Sequence, residues 1–253
     1  MNITLDQIKS LRERTGISTT ACKKALEEAN GNEDLAIEIL RKKGAAKAAE
    51  RSDRATAQGV VALAGTGSKV AMLALGCETD FVSKNEGFVA KTQALADRLL
   101  AEGESADFSG ELNDLNIQMG EKVEIVDKKV VEAPVVGTYI HSNRRIGVLI
   151  ALDGGSQEVA QDIAMHIAAL KPLNVSPDEV SQELLDKEKT IWAEQLAAEG
   201  KPAEIVEKIM LGKEKKFREE SALLTQAFVK NPEQQIQDLL GGSKIQGFWR
   251  FEV

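Results

Sequence analysis

The sequence predicts an α+β protein with a small N-terminal helical module, a duplicated hairpin-helix-strand core, and an antiparallel helical hairpin inserted into the second copy. Three observations predict it. Helical apolar stripes fill roughly the first 45 residues, the period changes to that of strands at Gly59, and the order hairpin, helix, strand then runs twice. Each half of such a core needs the other to cover its sheet.

The elements follow in order. Thr4 and Gln7 form a capping box ahead of Leu5, Ile8 and Leu11, and Gly16 ends the first helix. Ser18 caps a second helix striped by Ala21, Cys22, Ala25, Leu26 and Ala29, and Asn30-Gly31 supplies a left-handed stop. Asn32 caps a third helix, with Leu35, Ala36, Ile39 and Leu40, expected to stop near Gly44. Residues 1–44 thus form the helical module, and 45–58, rich in Ala, Lys and Arg without an apolar stripe, read as a linker or a solvated helix. Residues 59–134 are the first core unit: a hairpin of 60–63 and 70–75 around Gly65-Thr66-Gly67, a helix from Glu86, and a strand over 123–131. Residues 135–175 and 218–253 are the second, with strands 137–140 and 146–152, a helix through Ile163 and Ile167, a short helix at 236–240 and a strand from Ile245. Residues 176–217 interrupt it. Ser176-Pro177-Asp178-Glu179 is expected to open a helix through Leu184, Ile191, Trp192 and Leu196; Gly200-Lys201-Pro202 turns the chain, and Val206, Ile209, Met210 and Phe217 mark the return.

Composition excludes several functions. The 253 residues carry a net charge of −8, and only residues 1–58 are mildly basic, which argues against direct nucleic-acid binding. No apolar run approaches the roughly 20 residues of a membrane helix, and the N-terminus lacks a secretory layout, so a cytoplasmic location is expected. Cys22 and Cys77 lack CxxC spacing and read as small buried hydrophobes. His141 and His166 are the only histidines, and neither lies in a ligand cluster; no metal site and no cofactor are expected. Phosphate-cradling and nucleophile-elbow motifs are missing, so no covalent chemistry is expected either.

One segment stands out: Cys77 to Phe88, which joins the first hairpin to its helix and puts Phe81 and Val82 between Asp80 and Lys84. By itself it reads as a hydrophobic staple that folds Phe81 back onto the helix. The alternative is an exposed aromatic wedge that anchors an interface. His141 lies with Asn143, Arg144 and Arg145 in a polar turn, either a partner contact or a plain solvated turn.

Leu11-Arg12-Glu13-Arg14-Thr15-Gly16, Cys22-Lys23-Lys24-Ala25-Leu26-Glu27-Glu28-Ala29, Thr79-Asp80-Phe81-Val82, Arg145-Ile146-Gly147-Val148-Leu149, Met165-His166-Ile167-Ala168-Ala169, Gly200-Lys201-Pro202 and Phe251-Glu252-Val253 occur in an order that closely resembles the bacterial elongation factor Ts family. The resemblance spans essentially the whole chain. It implies a ubiquitin-associated-like helical domain, a two-subdomain core and a helical hairpin used for self-association. It also implies a guanine-nucleotide exchange factor for elongation factor Tu, binding its GDP and nucleotide-free forms. By the resemblance, Thr79, Asp80, Phe81 and Val82 reach the magnesium site of Tu, while Arg12, Lys23 and His141 make lesser contacts. Two departures stand out: Thr19-Thr20 where relatives often carry methionines, and no C-terminal helical module after Val253, which implies a smaller contact with Tu than in members that have one. Other classes fit less of the chain. A ubiquitin-binding adaptor would use only the N-terminal module, and a hydrolase would need a nucleophile and base that no motif supplies.

Overall fold

The computed structural model describes residues 3–198 and 202–253, so the expected turn at Gly200-Lys201-Pro202 lies outside the described residues except for Pro202. The chain opens with three helices, α1 (Leu5–Thr15), α2 (Thr19–Glu28) and α3 (Glu33–Glu50). Thr4 and Gln7 make the reciprocal capping box, Gly16 closes α1 at φ 69°, and Ser18 accepts from Ala21 N–H at the start of α2. Leu11, Cys22, Leu26 and Ala36 are sealed between the helices. Leu5 and Leu35, read as part of the stripes, are exposed instead.

The third helix does not stop at Gly44. It continues to Glu50, so the first half of the stretch read as a linker or a solvated helix is helical. Gly44 serves another purpose: α6 (Ser109–Met119) crosses α3 there, and a Cβ on Gly44 would lie 2.0 Å from Ile117 Cγ1. Beyond α3, Arg54 pairs with Glu78 at 3.1 Å and Thr56 donates to Glu124 at 2.6 Å, fastening this stretch to the first sheet.

That sheet is antiparallel in the order β1 (Gln58–Thr66), β2 (Lys69–Cys77), β3 (Val123–Glu132). The central strand, β2, is apolar and buried on both faces because both faces are covered. Leu73 and Leu75 pack beneath α5 (Glu86–Glu102) and α6 with Phe88, Leu95, Leu99 and Leu115. Val61, Val70 and Met72, on the opposite face by the two-residue alternation, meet the second sheet.

The second sheet has the order β4 (Val135–Ile140), β5 (Ile146–Leu152) and, last in the chain, β8 (Ile245–Glu252). Its outer face, Val148, Ile150 and Leu152, packs on Ile163 and Ile167 of α7 (Gln157–Leu170). Its inner face contributes Leu149 and Phe251 to the cluster between the sheets, where a Cβ on Gly147 would come within 2.5 Å of Val61 Cγ1. The layers therefore run helix, sheet, sheet, helix. The molecule is a mixed α+β protein.

Between α7 and β8 come α8 (Gln182–Ala198), α9 (Ala203–Ser221), a small hairpin of β6 (Ala227–Phe228) and β7 (Asn231–Gln235), and α10 (Ile236–Leu239). The helix expected at Ser176-Pro177-Asp178-Glu179 is only a 3-10 turn, and α8 begins at Gln182. Val180 is the reason: it is buried in an extended conformation, and Ser181, not Ser176, accepts from the first helical turn, at Leu184 N–H. Trp192 and Phe217 pack edge-to-face at 5.7 Å between α8 and α9. His166 is wholly buried on α7. Its Nδ1 accepts from Val229 N–H at 3.3 Å, so Nε2 carries the proton offered to Gln226 Oε1 at 2.9 Å, and burial holds its pKa below the ordinary value.

Candidate partner-binding site

Where β2 ends, the chain makes a short helix, α4 (Asp80–Ser83), before entering α5. Thr79 caps α4, accepting from Val82 N–H, and Asn85 caps α5, accepting from Phe88 N–H at 3.2 Å. Two consecutive caps allow a sharp corner. Val82 tucks against the first helix-covered core, and Phe88 is completely buried beneath it.

Phe81 does the opposite. It is 83% exposed, more than any other large apolar residue among those described, including Leu5 at 75%. The staple reading is therefore wrong. Val82 and Phe88 take the inward positions of this corner, and the helical turn between them leaves Phe81 pointing to solvent.

The tip is nevertheless tied down. Glu121, in the turn before β3, accepts from Glu78 N–H at 3.1 Å and Thr79 N–H at 2.9 Å, and its other oxygen accepts from the Thr79 hydroxyl. Glu78 answers by accepting from Lys122 N–H at 2.6 Å, a bond that, with the Arg54 pair, holds its carboxyl below the usual range. The Cys77 thiol donates to Thr79 C=O at 3.3 Å; burial, with the Glu121 charge, pushes its pKa up to about 11, so it is no nucleophile. Asp80 bonds Lys84 at 2.6 Å, which lowers its pKa and fixes its carboxylate beside the tip.

The structure brings Thr79, Asp80, Phe81 and Val82 together on this corner and sets the β4–β5 turn across a cleft of about 590 Å³, lined by Asp80, Ser83 and Lys84 on one side and Ser142 to Arg145 on the other. His141, at the edge of that turn, is exposed, and the Tyr139 hydroxyl lies 3.0 Å from its Nδ1. Arg12 and Lys23 sit on exposed positions of α1 and α2 and share neither this cleft nor a hydrogen bond with the tip; Lys23 faces Glu27 at 3.8 Å. Sequence reasoning missed Glu121 and Glu78. The bonds from Glu121 to residues 78 and 79 and from Glu78 to Lys122 span more than 40 residues of chain, and no periodicity links such positions. Among the described residues, no three His, Cys, Asp or Glu side chains gather to hold a metal ion, and no helix is long and apolar enough to cross a membrane.

The corner is hydrogen-bonded from below and displays one exposed aromatic ring, and comparison with known proteins identifies the family. Residues 78–253 match the family described as Elongation factor TS. The chain belongs to that family. It is 44% identical to Elongation factor Ts of Thioalkalivibrio sulfidiphilus, with 100% of the chain and 92% of the relative aligned. It is 42% identical to Elongation factor Ts of Hydrogenobaculum sp. (100% and 99%) and 43% identical to that of Cellvibrio japonicus (97% and 89%). Membership of the elongation factor Ts family places the chain among the translation elongation factors of protein biosynthesis.

Proposed function

We propose that this chain binds elongation factor Tu in its GDP form, promotes release of GDP by disturbing the magnesium site of Tu, and remains on the nucleotide-free form until GTP rebinds. The observation that carries this reading is the exposure of Phe81 on a corner held by Glu121. A magnesium ion at the β-phosphate supplies much of the positive charge that retains a nucleotide, so weakening its coordination raises the nucleotide off-rate. Burying one aromatic ring in a partner contributes about 1.5–3 kcal/mol, which can stabilise a Tu conformation with displaced magnesium ligands. The tip is already ordered, so little of that gain is lost to fixing the loop. Linkage makes the effect reciprocal: a factor that weakens GDP binding is itself weakened by bound nucleotide, and incoming GTP expels it. The chain performs no covalent step.

Thr79 and Val82 hold the wedge from below, Asp80 offers a carboxylate beside it, and Arg12, Lys23 and His141 add contacts at a distance. We divide the chain into a ubiquitin-associated-like domain extended by the end of α3 (1–50), a connecting segment (51–57), two core subdomains (58–134; 135–175 with 222–253) and an inserted hairpin (176–221). Ile191, Ile205 and Leu211 are exposed on α8 and α9, which supports self-association through that hairpin. The setting is the cytoplasm, where translation proceeds. Release of a fluorescent GDP analogue from Tu tests the reading: the chain should accelerate it at catalytic concentrations, and an unchanged rate would reject the exchange function.

A further inference from the structure

The cleft beside α4 carries a charge that the wedge does not use. Asp80, Ser83 and Lys84 line it from one face of α4, at the i, i+3, i+4 spacing that turns side chains the same way. Arg144 and Arg145 line it from the β4–β5 turn. The lining therefore holds three cations against one carboxylate, in a chain whose net charge is −8. Asp80 is already taken by Lys84. Arg145 spends its guanidinium on two backbone carbonyls, those of Val253 and Ala57, and so braces the turn against β1 and β8. Arg144 is exposed, and among the described residues no carboxylate pairs with it.

The backbone of Arg144 adds an independent observation. It sits at φ 56°, the left-handed region that favours glycine or asparagine, and its carbonyl accepts from Val61 N–H at 2.7 Å, which locks it there. Arginine is a strained choice for that position, and among the described residues its side chain makes no hydrogen bond or ion pair that would compensate. Strain of this kind collects where a side chain is used by something else.

We infer that this cleft, on the same side of the chain as α4, seats an acidic side chain of the protein partner, received by Arg144. A planar guanidinium on a locked backbone binds a carboxylate through two parallel bonds. The inference rests on the reading that the partner is Tu. It adds an electrostatic anchor across the cleft from α4, which guides the approach of the two surfaces before the ring is buried. The effect belongs mainly to the association rate, because charges at an interface rim steer encounter more than they hold the complex.

The test measures association of Tu·GDP with the immobilised full chain, comparing wild type with Arg144→Asn and Arg144→Glu at low and high salt. Asparagine tolerates the left-handed backbone, so the melting temperature of Arg144→Asn should equal that of wild type. Its on-rate should fall about 3- to 10-fold at roughly 50 mM salt, Arg144→Glu should fall further, and the gap should close near 0.5 M salt. If Tu binds wild type and Arg144→Glu equally fast at low salt, the cleft has no such role and the exchange reading stands. A deficit that persists unchanged at high salt also overturns it, because charge is then not the cause. If wild type does not bind Tu, both readings fall together.

Discussion

At the scale of single residues, two side chains divide the work of the tip. Phe81 presents apolar surface to solvent, and Glu121 keeps the backbone beneath it in place with three hydrogen bonds. Removing Glu121 leaves two backbone donors and a hydroxyl to find water. Glu121→Ala should destabilise the protein by about 1–3 kcal/mol and speed amide hydrogen exchange at Glu78 and Thr79. It should also slow catalysed GDP release although Phe81 is intact; unaltered amide protection would contradict the bracing role. The sequence marks the Thr-Asp-Phe-Val segment as odd, because two apolar residues stand where the period calls for a loop or first turn. It does not decide which way Phe81 points. That depends on Val82 and Phe88 occupying the inward positions, which is a matter of tertiary packing.

At the scale of elements, local signals are legible and close approaches are not. Thr4 and Ser18 cap their helices as read, because a cap depends on residues three apart. Gly44 has the look of a stop in sequence, yet it lies inside α3, where the absent side chain admits Ile117 of a helix some 70 residues onward. Nothing local announces that crossing. Gly44→Val should therefore push α3 from α6 and cost about 1–3 kcal/mol by urea unfolding, despite the better helix propensity of valine; equal or greater stability would show that the crossing yields without strain. Val180 teaches the same lesson, since its burial in extended form moves the start of α8 to Gln182. The segment 101–122 holds α6 and Glu121 but carries no legible period, because its apolar residues are sparse and unevenly spaced.

At the scale of the whole molecule, two three-stranded sheets face one another across Val61, Met72, Leu149 and Phe251, and this contact sets the α4 corner opposite the β4–β5 turn. The repeated hairpin-helix-strand order was visible in the sequence, whereas the face-to-face packing that makes one cleft from two distant turns was not. The α8–α9 hairpin is bound together by Trp192 and Phe217, and it turns Ile191, Ile205 and Leu211 outward. Light scattering of Leu211→Glu should show a smaller mass than wild type if this face joins two copies, and an identical profile would count against it. The central claim is that a ring exposed on its own chain is buried in Tu. It is tested most directly by the maximal rate at which Phe81→Ala releases GDP from Tu, in protein whose melting temperature matches wild type. The expected result is a loss of about 10- to 100-fold, equivalent to the burial energy of one aromatic ring. Release at the wild-type rate would contradict the account.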